Sequence, residues 1–280
     1  MIRVPHAVAI LALTAAAALA SAAALAADGI AFISNLKGEV AVDGVPRPAL
    51  LTELARGQKI SVGRESQASV MYIASGKEYV LRGPSDYLVK DNEVAGSSAM
   101  PPVTRNTEWR TNSAVLLRVS QTSAASVRMR SAAPPKSEAP KSFPAEGTVS
   151  TLQPTFRWAA DPQQSADFKL LVVGEAKPVY FGKARGGSHR LPARLKPETE
   201  YTWVATAAGA EVGGGRFRTV SSEAAQQVER RKPSERAEFS DRLLFTLMLH
   251  EMGATQEARE SWARLSRERA DLPELESLAR

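Results

Sequence analysis

The chain has 280 residues, 44% of them hydrophobic and 24% charged, with a net charge of +6, 17 prolines and no cysteine. This composition excludes a wholly disordered polymer and a disulfide-stapled miniprotein, and it removes thiolate chemistry and lipidation at a cysteine. The length gives room for about two domains of ordinary size, with modest cores because aromatic residues make up only 6%.

At the N-terminus, Arg3 precedes an apolar run from Val8 to Ala20 and a small-residue stretch ending Ala24-Leu25-Ala26, just before Asp28. This order reads as a secretory signal over residues 1–26, with an uncleaved N-terminal membrane anchor as the competing reading. Export places the chain in the periplasm. There, mild basic charge meets lipid head groups and cell-wall polymers, so the expected partner is an envelope protein or cell-wall polymer, with weak attraction to membrane surfaces and no nucleic acid.

Residues 28–131 read as an all-β domain with its core at 30–92. Val40 and Val42 alternate, Asp43-Gly44 forms a tight turn, and Ile60 and Val62 repeat the alternation. Ala68, Val70 and Tyr72 face opposite to Ser69, Met71 and Ile73, Ser75-Gly76-Lys77 turns the chain, and Gly83-Pro84 ends the strand that carries Tyr79 and Leu81. Period-two runs bounded by glycine are the pattern of half-buried strands. Two further strands are expected at 114–119 and 125–130. Four prolines between Ala132 and Pro144 then forbid a sheet ladder, so residues 132–147 read as an extended linker.

A second β module is expected over 148–220. Phe156 and Trp158 alternate, Phe168 to Val173 is a near-continuous apolar strand, and Tyr201 and Trp203 follow the corner Leu195-Lys196-Pro197-Glu198-Thr199. A tyrosine just past such a corner can return its hydroxyl to the backbone, and Gly213-Gly214-Gly215 is expected to form the last flexible hairpin. From 222 to 280 the period changes to 3.6. Phe239, Leu243, Leu244, Leu247, Met248 and Met252 form one stripe, Gly253 ends that helix, and Ala258, Trp262 and Leu265 form a second stripe, together an antiparallel helical hairpin.

The segments Leu36-Lys37-Gly38-Glu39-Val40-Ala41-Val42, Gly57-Gln58-Lys59-Ile60, Ala68-Ser69-Val70-Met71-Tyr72 and Gly76-Lys77-Glu78-Tyr79-Val80-Leu81 resemble a FecR-type domain. Residues 149–220 are similar to a fibronectin type III-like sandwich, with Trp158 as core aromatic and Leu195, Pro197, Thr199 and Tyr201 matching its corner. Residues 237–268 resemble one tetratricopeptide-type helix pair. A lone pair cannot bury both its faces, so the tail is expected to dock on a neighbouring module or a partner. The expected fold class is mainly β multidomain: a FecR-like all-β module, a fibronectin type III-like β-sandwich and a C-terminal α-helical hairpin.

Catalytic chemistry is sparse. Position 254, one turn after His250, is alanine, so no zinc helix is present. Ser188-His189 lies in a glycine-rich stretch expected to be a solvated loop, without an identifiable third group. Glu257 and Glu260 are expected to pair with Arg264 along one solvated helix face. No catalytic, cofactor-binding or metal-binding residues are therefore expected, and no cofactor. The residues singled out are structural: Trp158, Tyr201 and Trp203 in the sandwich core and corner, and Leu243, Leu247 and Trp262 in helical packing. The leading expectation is a noncatalytic periplasmic interaction or scaffold protein. The alternatives are a periplasmic signal-transduction regulator, as the FecR resemblance implies, and a protein binding cell-wall polysaccharide or peptidoglycan.

Overall fold

The computed structural model of this chain describes residues 29–97, 99–107, 109, 142–234 and 236–279. The expected signal segment, the strands expected at 114–119 and 125–130, and most of the proline-rich stretch lie outside the described residues.

The fold is mainly β, in several sheets, with a C-terminal helical part. The first module holds β1 (Ala31–Lys37), β2 (Val40–Val42), β3 (Glu53–Leu54), β4 (Lys59–Val62), β5 (Gln67–Tyr72), β6 (Lys77–Arg82), β7 (Ser85–Val89), β8 (Val94–Ala95) and β9 (Val103–Asn106). These make a five-stranded sheet, ordered β3-β1-β5-β6-β9, and a four-stranded one, ordered β2-β4-β7-β8. The turns at Asp43-Gly44 and Ser75-Gly76 form as the sequence indicates: both glycines have positive φ, 76° and 63°.

Between the two sheets lie Ala31, Ile33, Ile60, Val70, Leu81 and Tyr87 with their neighbours. The opposite face of the larger sheet is not solvated. Phe32 and Met71 are paired across β1 and β5, and with Ile73 they join a core built mainly of helical residues. That is why Val70–Ile73 is an unbroken apolar run: a strand covered on both faces loses the polar half of its alternation. Burial of a side chain of this size contributes about 1.5–3 kcal/mol. Glu78 lies opposite Met71 and is 1% exposed.

The second module comprises β10 (Ser142–Phe143), β11 (Thr148–Val149), β12 (Thr155–Trp158), β13 (Ser165–Val172), β14 (Tyr180–Arg185), β15 (Ser188–Arg190), β16 (Glu200–Ala207) and β17 (Ala210–Thr219). Its order is β10-β12-β15-β14-β13-β16-β17-β11. Here the linker boundary needs correction. Residues 142–149 are structural: β10 pairs with β12, β11 runs parallel to β17, and Arg216 and Arg218 donate backbone N–H groups to the carbonyls of Ala145 and Gly147. One segment thus joins both ends of the strand order, closing the sheet around an aromatic core. Proline is tolerated because the segment meets the ladder in short pieces at a sheet border.

That core contains Phe156, Trp158, Phe168, Tyr201, Trp203 and Phe217. Phe156 makes edge-on contacts with Phe168, Trp203 and Phe217 at centroid distances of 4.8, 5.2 and 5.7 Å. The Trp203 indole N–H donates to Pro144 O at 2.7 Å, and the Tyr201 hydroxyl accepts from the Lys196 N–H at 3.0 Å, fixing the corner. Gly213, Gly214 and Gly215 are not a hairpin turn; they lie inside β17, and the turn falls at Ala208-Gly209. Their small size serves close approach. A Cβ at Gly213 would sit 2.4 Å from Trp158 Cβ, and one at Gly215 would sit 2.1 Å from Pro144 O.

Four helices follow among the described residues: α1 (Ser222–Arg231), α2 (Phe239–Glu251), α3 (Thr255–Glu268) and α4 (Pro273–Ala279). Ser221 caps α1, accepting from the Ala224 N–H. The α2 helix buries nine of its residues, from Phe239 to Leu249 with Ser240 and Thr246 among them, so its central turns are covered on all sides rather than along one stripe. Its C-terminus is a Schellman turn: the Ala254 N–H returns to Leu249 O, that of Gly253 to His250 O, and Gly253 has φ 77°. Gly253→Ala is expected to lower stability by about 1–2 kcal/mol, because an L residue is strained in this region. Chemical denaturation checks it, and an unchanged midpoint would contradict the role given to this turn.

Candidate ligand groove at the helical hub

The helices form a hub bonded to both β modules. Toward the first module, Ser34 Oγ donates to Glu78 Oε1 at 2.6 Å, and Arg105 Nε donates to Glu78 Oε2 at 2.7 Å. Arg105 also reaches α2, donating from Nη1 to Asp241 Oδ2 and from Nη2 to Ser240 Oγ, both at 2.7 Å. Asp241 stands in the first turn of α2, where the helix dipole favours a carboxylate. Arg269, just past α3, donates to Asn35 Oδ1 and Leu36 O at 2.6 and 2.5 Å and lies over the Phe239 ring.

Toward the second module, Gln256 accepts from the Ala145 N–H at 2.9 Å and donates to Ser142 O at 2.8 Å. Glu257 accepts from the N–H and hydroxyl of Ser150, each at 2.8 Å, and Glu260 accepts from Arg157 Nη2 on both oxygens at 2.8 Å. The expected pairing of Glu257 and Glu260 with Arg264 is therefore corrected. Both carboxylates leave their own helix face for the second module, where backbone and charged donors are aimed at them, and Arg264 turns to Ser261 Oγ at 3.0 Å.

Burial pushes the Glu257 carboxyl above its ordinary value of 4.5, against the two Ser150 hydrogen bonds. The folded chain thus holds this proton more tightly than the unfolded chain does. That contribution is complete below the unfolded pKa and is lost as pH rises through the folded one. Glu257→Gln keeps an acceptor and cannot ionise, so its stability relative to the unsubstituted chain is expected to improve between about pH 4 and about pH 7. Urea midpoints at the two pH values measure the effect; a difference that does not change with pH would refute it.

A groove runs where the hub meets the second module. Its middle section, of about 420 Å³, shares Thr151, Gln153, Arg190 and Glu229 with a section of about 250 Å³ beside α1. It shares Lys232, Phe245 and Arg264 with one of about 560 Å³ between α2 and α3. The first two sections are lined by six cationic side chains and three carboxylates. Two of those cations are paired, Arg157 with Glu260 and Arg194 with Glu229. Arg190 is steered instead by Gln153 Oε1 at 3.4 Å, while the Gln153 amide donates to Leu191 O at 2.7 Å.

The residues singled out from the sequence are dispersed. Trp158, Tyr201 and Trp203 pack in the core of the second module, and Leu243, Leu247 and Trp262 in the hub core. His250 is exposed at the end of α2. Ser188 and His189 lie on β15 rather than in a loop, and the His189 ring sits 4.6 Å from Phe168 and 5.2 Å from Tyr180. Burial lowers the His189 pKa. Among the described residues no group of three or more His, Cys, Asp or Glu is placed to hold a metal, and no helix is long and apolar enough to cross a membrane. The groove itself was missed by sequence reading. Its arginines come from β12, β15, the loop after β15, α1 and α3, and only the tertiary fold assembles them.

No family model matches this chain, and no curated protein matches it.

Proposed function

We propose that this chain is a noncatalytic interaction or scaffold protein of the bacterial cell envelope, exported by its N-terminal signal, that binds another envelope component. The observation supporting this reading is the hub: one helical unit is bonded at once to both β modules, through Arg105 on one side and Gln256, Glu257 and Glu260 on the other. Two modules held to one support present a composite surface, and the groove between the hub and the second module is the concave part of it. Rigid concave surfaces bind with less loss of freedom than mobile ones.

The test is site-specific photo-crosslinking in intact cells, with the photoreactive residue at Gln226, Arg190 or Lys232 along the groove and at Lys177 on a remote loop. Groove positions are expected to capture one reproducible partner that the remote position does not. Repeated capture of nothing from any position would overturn the reading.

A further inference from the structure

We infer that the groove between the hub and the second module binds an extended acidic peptide segment of a partner protein, alternating carboxylate and apolar side chains. This inference rests on the interaction role proposed above. Four cations along the groove, Arg190, Arg230, Lys232 and Arg264, have no carboxylate partner among the described residues. The carboxylates beside them are already engaged: Glu257 by Ser150, Glu260 by Arg157 and Glu229 by Arg194. The local charge excess is thus positive and uncommitted, and it is carried mainly by guanidinium groups, which bind carboxylates two-pronged.

The rest of the lining selects the kind of anion. Val228, Phe245 and Leu249 supply apolar wall beside these cations. A sugar polymer needs exposed aromatic platforms, and the groove has none free: Phe143 is 7% exposed and lies under Arg157 at 4.6 Å, and Phe245 is 9% exposed. On the second module the strongly exposed aromatic is Phe181, at 64%, which does not line the groove. Mixed charge and small apolar contact suit a polypeptide, whose side chains alternate along the strand.

The experiment is fluorescence anisotropy with the full chain and a fluorescein-labelled peptide of repeated Glu-Val, beside the same peptide with Gln for Glu, and with polygalacturonate as competitor. The Glu peptide is expected to bind, to weaken with added salt, and to lose affinity about tenfold or more when Arg190→Gln and Arg264→Gln are combined. Lys183→Gln with Arg185→Gln, on the second module away from the groove, is expected to change nothing. Three results would overturn the inference: no binding of the Glu peptide up to about 1 mM at low salt, equal binding of the Gln peptide, or arginine-dependent binding of polygalacturonate alone. The broader interaction reading fails separately, when in-cell crosslinking captures no partner from any position.

Discussion

Arg105→Met is expected to lower the free energy of unfolding by about 3–4 kcal/mol, because it leaves the Glu78 carboxylate buried without its cation. Glu78 is 1% exposed and keeps only the Ser34 hydroxyl, so its charge has no route to water. Arg105 joins β9 to both β6 and the start of α2, and its loss also frees Asp241 and Ser240. Asp241 tolerates this better, being partly exposed at a helix N-terminus. Combining Arg105→Met with Glu78→Leu should therefore restore most of the stability, since apolar replacement of a whole buried pair is often neutral. Urea denaturation of the two variants gives the comparison. A single substitution costing less than about 1 kcal/mol would place the pair in effectively aqueous surroundings.

Trp262→Ala is expected to cost about 3–5 kcal/mol, the range for truncating a large buried aromatic. Trp262 is 2% exposed in the core that also contains Leu243 and Leu247 from α2 and Phe32 and Met71 from the first module's sheet. The cavity would therefore weaken a core shared by helix and sheet. Denaturation followed by circular dichroism should show loss of helix and of first-module strand in one transition. Helix loss at unchanged strand signal would show that the two do not share a core.

Local chemistry was legible in the sequence; what covers what was not. Asp43-Gly44, the Tyr201 corner and the Gly253 helix end could be read because each depends on a few adjacent residues. Glu78, Arg105 and Asp241 lie on three elements far apart in the chain, and no spacing rule links them. Even so, a signal for the hub was present: Ala68–Ile73 lacks a polar face, and the central stretch of α2, Leu243–Leu249, is apolar on every side save for Thr246. Read together, a strand needing cover on both sides and a helix needing cover all round point to each other. The Gly213 triplet misled because glycine marks both flexible turns and close approach, and here Trp158 and the Pro144 carbonyl decide for the second.

Native-state hydrogen exchange on the full chain, with and without Trp262→Ala, tests the shared hub most directly. The amides of Phe32 and Met71 in the sheet and of Leu247 and Met248 in α2 are expected to open with similar free energies and to lose protection together when Trp262 is truncated. If the sheet amides keep their protection while those of α2 lose it, the helices are an appendage and not the support on which the modules are held.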